Sequence, residues 1–346
     1  MKILALIPAA LALASPLPAS AQAQTPAGGT VPVTVENFIR AETDLYLSAV
    51  ALKENGFGKF EHHREVSPVE AQTIIRQNRD TLYSAMVLDL DAGPVTITLP
   101  DADGRFMSLQ SINQDMYSPP AIYTSGAHTI TREQAGTRYV MIGVRTLVNP
   151  ADPKDIATVH ALQDALKVEQ PGGPGKLELP HWDMEGQGKI RAALLEVGKY
   201  MTDTCRAFGT KDEVDPVAHF ISAATTWGGN PRKDAIYLNY TPAKNDGKTI
   251  YKLHLGEVPV DGFWSISLYN PQGYFEKNPL NSYSLNNITS KKNADGSVDI
   301  QFGGCDGKVP NCLVTMPGWN YTARLYRARP EILNGSWKFP EPQPVN

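Results

Sequence analysis

Two stretches, FMSLQSINQDMY at residues 106–117 and FWSISLYNPQGY at residues 263–274, decide the fold. Phe106, Ser108, Asn113 and Tyr117 of the first return in the second as Phe263, Ser265, Asn270 and Tyr274, all at an offset of 157. Upstream, Asp80-x-x-Tyr83 returns as Asp234-x-x-Tyr237 at an offset of 154. Downstream, Gly136, Tyr139 and Arg145 match Gly318, Tyr321 and Arg327 at an offset of 182. Three blocks in one order predict a duplicated unit. The second copy then carries an insertion of 182 − 157 = 25 residues around NPLNSYSLNNITSKKNADGSVD at 278–299.

Outward from these blocks the chain alternates in character. Residues 35–54, VENFIRAETDLYLSAVALKE, place apolar residues at helical spacing and stop before Asn55-Gly56. Short β-rich runs such as PVTITLP and RYVMIGV, punctuated by Asp-Gly, Gly-Pro and Pro-Pro, fill residues 82–148, and strands return over 235–326. Between them lie three helical stretches, DIATVHALQDALK, GKIRAALLEVGKYMTDTCRAF and DPVAHFISAATTW, the first two separated by the loop QPGGPGK. The pattern predicts a mainly β protein with helical segments: two duplicated antiparallel β-sandwich or jelly-roll-like domains joined by a helical region. The expected divisions are a signal peptide at 1–21, an N-terminal helix with the first sandwich at 31–150, a helical connector at 151–228 and the second sandwich at 229–346.

The leader combines Lys2, an apolar run at 3–14 and Ala19-Ser20-Ala21, the small-residue pattern of a signal-peptidase site, so export with cleavage near Ala21 is expected. A periplasmic or secreted location follows, with no membrane span in the mature chain. Its net charge is 31 − 36 = −5, one lysine having left with the leader, and no basic run offers a nucleic-acid surface. Cys305 and Cys312 flank the turn-forming residues DGKVPN and are expected to form a disulfide, while Cys205 is expected as a buried, inert thiol.

Familiar catalytic signatures are missing. The sequence holds no G-x-S-x-G, H-E-x-x-H, C-x-x-C or phosphate-binding glycine loop, which leaves serine-nucleophile, zinc-peptidase and nucleotide chemistry without support. His62-His63 in EHHRE reads as a solvated surface and His181-Trp182-Asp183 as a satisfied loop; a metal site is left open and no cofactor is expected.

The stretch NRDTLYS at 78–84, its apolar continuation and the turn PDADGRF resemble the first of a widespread bacterial pair of domains of unknown function, number 1254. GFWSISLYNPQGYFEKNPLNSYSL, KKNADGSVDI and ARLYRARPEILNGSWKFP resemble its partner, number 1214. The resemblance implies an exported, two-domain, β-rich protein and supplies no reaction. Where the family tends to have Asn-Trp-Leu-Pro this chain has Asn311-Cys312-Leu313-Val314, so the disulfide is a local feature.

Differences between the copies suggest where one site lies. Asp115 does not recur, its counterpart being Gln272, and Arg79 is matched only by Lys233, which lacks the guanidinium fork. A cleft in the first half with Asp80, Asp115 and Arg79 as the catalytic group, bordered by Tyr83, Asn113 and Tyr117, would suit hydrolysis of a glycosidic or amide bond. Tyr269, Asn281 and Tyr283 form a second candidate group for binding a small molecule or glycan. The alternative is a non-catalytic ligand-binding or assembly protein, with a homo-oligomer expected from open sheet edges.

Overall fold

The computed structural model describes residues 29–72, 75–201, 204 and 206–345. The expected leader with its expected cleavage site, and Cys205, lie outside the described residues.

The chain is mainly β. In the first half the strands are β1 (Glu61–His63), β2 (Thr81–Asp89), β3 (Val95–Leu99), β4 (Met107–Asn113), β5 (Gly126–Ile130), β6 (Tyr139–Leu147) and β7 (Lys167–Glu169). In the second they are β8 (Ala235–Tyr240), β9 (Tyr251–Leu255), β10 (Trp264–Tyr269), β11 (Ser284–Asn286), β12 (Val298–Phe302), β13 (Cys312–Leu313), β14 (Asn320–Tyr326) and β15 (Gln343–Pro344). The helices are α1 (Phe38–Ser48), α2 (Arg132–Ala135), α3 (Pro153–Asp164), α4 (Met184–Gly198), α5 (Pro216–Thr225) and α6 (Pro330–Leu333).

Each half stacks two sheets. The first uses the orders β1-β2-β6-β4 and β5-β3-β7, the second β11-β10-β14-β8 and β13-β12-β9-β15. The central triplets β2-β6-β4 and β8-β14-β10 share order and antiparallel sense, and this is the duplication. The short β12–β13 pair is parallel. β7, inside the stretch expected to be a helical connector, pairs with β3.

Strand alternation builds two separate cores. Met107 and Leu109 of β4 join Met86, Leu88, Val95, Ile97 and Leu99 in the first sandwich. Trp264, Ile266 and Leu268 of β10 join Leu253, Ile300, Phe302 and Trp319 in the second. Each fully buried aliphatic side chain contributes about 1.5 to 3 kcal/mol. The residues between them, Ser108 and Gln110 in β4 and Ser265 and Ser267 in β10, face away from the sandwich and are buried all the same. Something polar must cover them.

At one end of the first sheet that cover is helical: α1, α4 and α5 pack Phe38, Leu194 and Ile221 against Ile112 and Met116. Asp183 and Asp215 cap α4 and α5, and Pro216 starts α5. At the other end the cover is the second half, where Phe106 and Leu147 meet Ala235, Phe263 and Tyr326.

The shared motif N-x-x-x-Y is a turn. Asn113 Oδ1 accepts from the amides of Asp115 and Tyr117, and Asn270 Oδ1 accepts from those of Gln272 and Tyr274. Met116 (φ 62°) and Gly273 (φ 86°) take the same left-handed corner.

Candidate functional site at the junction of the halves

The segment leading into each half's first strand crosses the other half. Before β2, Gln72 exchanges hydrogen bonds with the Phe275 backbone at 2.7 and 2.9 Å, and the Arg76 amide donates to Gly273 O at 2.7 Å. The segment ends with Asp80 Oδ1 accepting from Asn286 Nδ2 of β11 at 3.1 Å. Before β8 the relationship is reversed. Gly229 O accepts from Gln110 Nε2 at 2.9 Å, and Asp234 accepts from the Tyr123 hydroxyl at 2.9 Å and the Ala121 amide at 3.1 Å. Asp80 and Asp234, the aspartates of the repeated D-x-x-Y, thus each anchor their own half in the other.

Two arginines stand beneath these crossings at equivalent places. Arg145 of β6 lies opposite Tyr83 and Ser108, and Arg324 of β14 lies opposite Tyr237 and Ser265. Arg324 Nη1 donates to Ser267 Oγ at 2.9 Å, and its Nη2 to Tyr269 Oη at 2.8 Å and Arg76 O at 2.7 Å. Arg145 Nη1 donates to Gln110 Oε1 at 2.6 Å and Asn230 Oδ1 at 3.4 Å.

The electrostatics of the two places differ. Burial pushes the Asp80 carboxyl up, outweighing Arg324, Ser265 and Asn286, which act in the opposite sense; Arg324 feels Asp80 across the junction without forming an ion pair with it. Arg145 makes no ion pair among the described residues. Its guanidinium stands 5.4 Å from the centre of the Tyr83 ring, and the titratable groups around it are the phenols of Tyr83, Tyr237 and Tyr326. Burial raises the Tyr83 phenol, but Arg145, Asn78 and Thr81 outweigh it and hold the group below an ordinary tyrosine. Tyr326 is pushed well above, first by burial and then by Tyr237 and Tyr83. Asn78 Nδ2 donates to Tyr83 Oη at 3.1 Å and Asn230 Nδ2 to Tyr237 Oη at 2.8 Å. Tyr83, Arg145 and Tyr237 sit deep in the protein yet keep partial solvent access.

The expected carboxylate pair is not formed. Thr81, beside Asp80, lies opposite Leu147, and Asn113, before Asp115, lies opposite Val140. Seven residues of β6 separate these levels, about 23 Å of strand, well beyond the roughly 5 to 10 Å of paired glycosidase acids. Asp115 instead pairs at the surface with Arg40 of α1. Arg79 turns from Asp80 towards the second half, between Phe275 and Tyr283 at 5.8 and 5.4 Å, and donates to Ser67 O. Tyr117 stacks on His219 at 4.7 Å. Tyr269 is fully buried with its hydroxyl donating to Gln77 O at 2.9 Å, and Tyr283 lies with Phe275 beside Asn281. Cys305 and Cys312 are disulfide-bonded. Among the described residues no group of three His, Cys, Asp or Glu is placed to hold a metal.

Arg324 and Asn230 escape the sequence reading. The strand registers give an offset of 324 − 145 = 179, not the 182 that aligned Arg145 with Arg327. The available signal was alternation in ARLYRAR, which puts Arg324 between the core residues Ala323 and Leu325.

Architecture and junction define a class: a duplicated double sandwich whose halves interlock around a polar, arginine- and tyrosine-lined centre. The chain belongs to the paired family of proteins of unknown function, matching DUF1254 at residues 57–133 and DUF1214 at residues 235–330. Its fold is similar to that of the VPA0106 protein from Vibrio parahaemolyticus, with a TM-score of 0.71 and 19% identity over 90% of this chain and 98% of that one. It is also similar to that of a putative uncharacterized protein from Burkholderia cenocepacia, with a TM-score of 0.50 and 13% identity over 90% of this chain and 88% of that one. No curated protein matches the chain.

Proposed function

We propose that the chain is an exported protein that binds a small organic anion at the junction of its halves, with the anion on Arg145. One observation carries this reading: Arg324 lies within the field of the buried Asp80 carboxyl, whereas the groups acting on its twin Arg145 are tyrosines and no carboxylate is among them. A deep-set guanidinium without a counter-ion is costly, and a carboxylate or similar oxyanion removes that cost through paired N–H donors. The hydroxyls of Tyr83 and Tyr237 flank the position, and Tyr83 is the group best suited to accept or return a proton. Export is supported by the leader's composition and by the disulfide, and among the described residues no helix is long and apolar enough to cross a membrane.

The test is calorimetric titration of the purified protein with acetate, malonate and sulfate. Binding of at least one, weakened about 100-fold in Arg145→Met, is expected from the loss of a charge-assisted pair. Equal binding by wild type and Arg145→Met, or none by wild type, would remove the reading.

A further inference from the structure

A cavity of about 260 Å³ opens on the seam between the halves. Leu99, Arg105, Phe106 and Met107 line it from the first half, Tyr123 from the loop after β4, and Arg327 with Gly262 from the second half. It shares Tyr123 and Phe106 with the junction, but Tyr83, Arg145 and Tyr237 do not line it.

Arg327 is its distinctive member. The backbone there is left-handed, with φ 53°, a conformation unfavourable for a long side chain. It is clamped on both sides: the Arg327 amide donates to Asp234 O, and its carbonyl accepts from the Asp261 amide, each at 2.9 Å. The guanidinium lies 4.5 Å from the centre of the Tyr123 ring and makes no ion pair or hydrogen bond with a described residue. The Tyr123 hydroxyl is itself held by Asp234. One face of the cation is therefore stacked while its edge donors are uncommitted.

The neighbouring carboxylates Asp234 and Asp261 lie within the field of Arg327 but hydrogen-bond elsewhere. Arg105 pairs with Asp155, Asp261 with Arg329, and Asp101 accepts from the Asp103 amide. Phe106, Met107 and Leu99 back the cavity but are themselves buried, and most of the surface it exposes is polar. Gly262 makes the close approach of the halves possible, since a Cβ there would meet Tyr326 O at 2.7 Å and Phe106 at 3.1 Å.

We propose that this cavity is a binding site for a small organic monocarboxylate, its carboxylate on the Arg327 guanidinium and its body in the space between Phe106 and Gly262. A planar carboxylate matches the edge of a stacked guanidinium. A dianion would meet Asp101 and Asp261 at the rim, and the volume lies below the usual range for drug-sized ligands. The inference is independent of Arg145.

Glycine at position 327 separates binding from folding, because it adopts the left-handed backbone without strain. Calorimetry with benzoate, butyrate and sulfate on Arg145→Met, with and without Arg327→Gly, is the test. Benzoate or butyrate should bind Arg145→Met, in which the junction position is removed, in preference to sulfate, with affinity reduced about 100-fold when Arg327→Gly is added, and with no drop in the melting temperature of Arg327→Gly. The proposal is overturned by benzoate and butyrate failing to bind Arg145→Met, by equal binding when Arg327→Gly is added, or by a melting temperature that falls in Arg327→Gly, which would make Arg327 a structural brace.

Discussion

Arg145 and Arg324 occupy one position of a repeated sheet, each opposite a tyrosine on one neighbouring strand and a serine on the other, yet only Arg324 lies within the field of a carboxyl across the junction. Removing one of two coupled buried groups strands the other, which at a buried pair costs about 3 to 5 kcal/mol. Arg324→Met should therefore lose about that much in urea unfolding. Arg145→Met, which strands no carboxylate but leaves Gln110 Oε1 and Asn230 Oδ1 without their donor, should lose less, about 1 to 3 kcal/mol. Equal losses in the two variants would mean that Arg145 has a compensating partner and that no anion position is open.

Tyr83 should ionise before the other tyrosines. Its phenol oxygen takes an N–H from Asn78 and lies under the charge of Arg145, and together with Thr81 these outweigh burial. An ultraviolet titration of the folded protein should show tyrosinate forming below the ordinary value near 10, with that first step missing in Tyr83→Phe. In Arg145→Met the step should move to higher pH. A first step that persists in Tyr83→Phe would assign the phenolate elsewhere.

Much of the sheet structure was legible because period-two alternation is a local property. Phe263, Ser265, Ser267 and Tyr269 do share the face opposite Trp264, Ile266 and Leu268. Ser265 and Ser267 on that face are buried and need a polar cover, which the sequence reading does not anticipate. What covers them was not legible, because the exchange of Asp80 and Asp234 between halves is a tertiary relationship without local periodicity. Asn113 and Asn270 close identical turns, so their recurrence reported on folding. Asp115, taken as a site residue because it does not recur, pairs instead with Arg40, and α1 too is found only in the first half. The site-bearing arginine was misaligned by three residues, since a shift of that size leaves Arg327 as plausible a match as Arg324.

Asp89, at the end of β2, ties the loop after β7 to the first sandwich. Its carboxylate accepts from Arg138 at 2.9 and 3.0 Å and from the amides of Lys176 and Asp91 at 3.0 and 3.1 Å. Burial raises its pKa, but these donors outweigh it and bring it below 3.8. The lowered folded value means the ionised form stabilises the fold: the contribution is present above pH 3.8 and is lost as pH falls through the folded value. Asp89→Asn should cost about 2 kcal/mol at neutral pH, modest because Arg138 stays partly open to water. Its deficit should shrink below pH 3.8, which urea unfolding at both pH values would reveal; a deficit independent of pH would assign the effect to shape and not to charge.

The Cys305–Cys312 disulfide closes a loop of sequence separation 7 beside β12 and β13, on the outer sheet of the second half. In the chain-entropy account, cross-linking a loop of this size stabilises the fold by about 2.5 kcal/mol. Further bonds hold the same loop: Ser282 donates to Cys312 O, and Asn311 Nδ2 donates to Lys291 O at 2.8 Å and Asp299 O at 3.0 Å. The loop therefore has partners that survive reduction, and the loss should be a shift in the unfolding midpoint without collapse of the second half. Neither cysteine touches the residues assigned to the junction, so Cys305→Ser with Cys312→Ser should bind small anions as wild type does. Calorimetry and urea unfolding on the double variant separate the two effects: weakened anion binding at an unchanged midpoint would place the loop in communication with the junction, contrary to its position on the outer sheet.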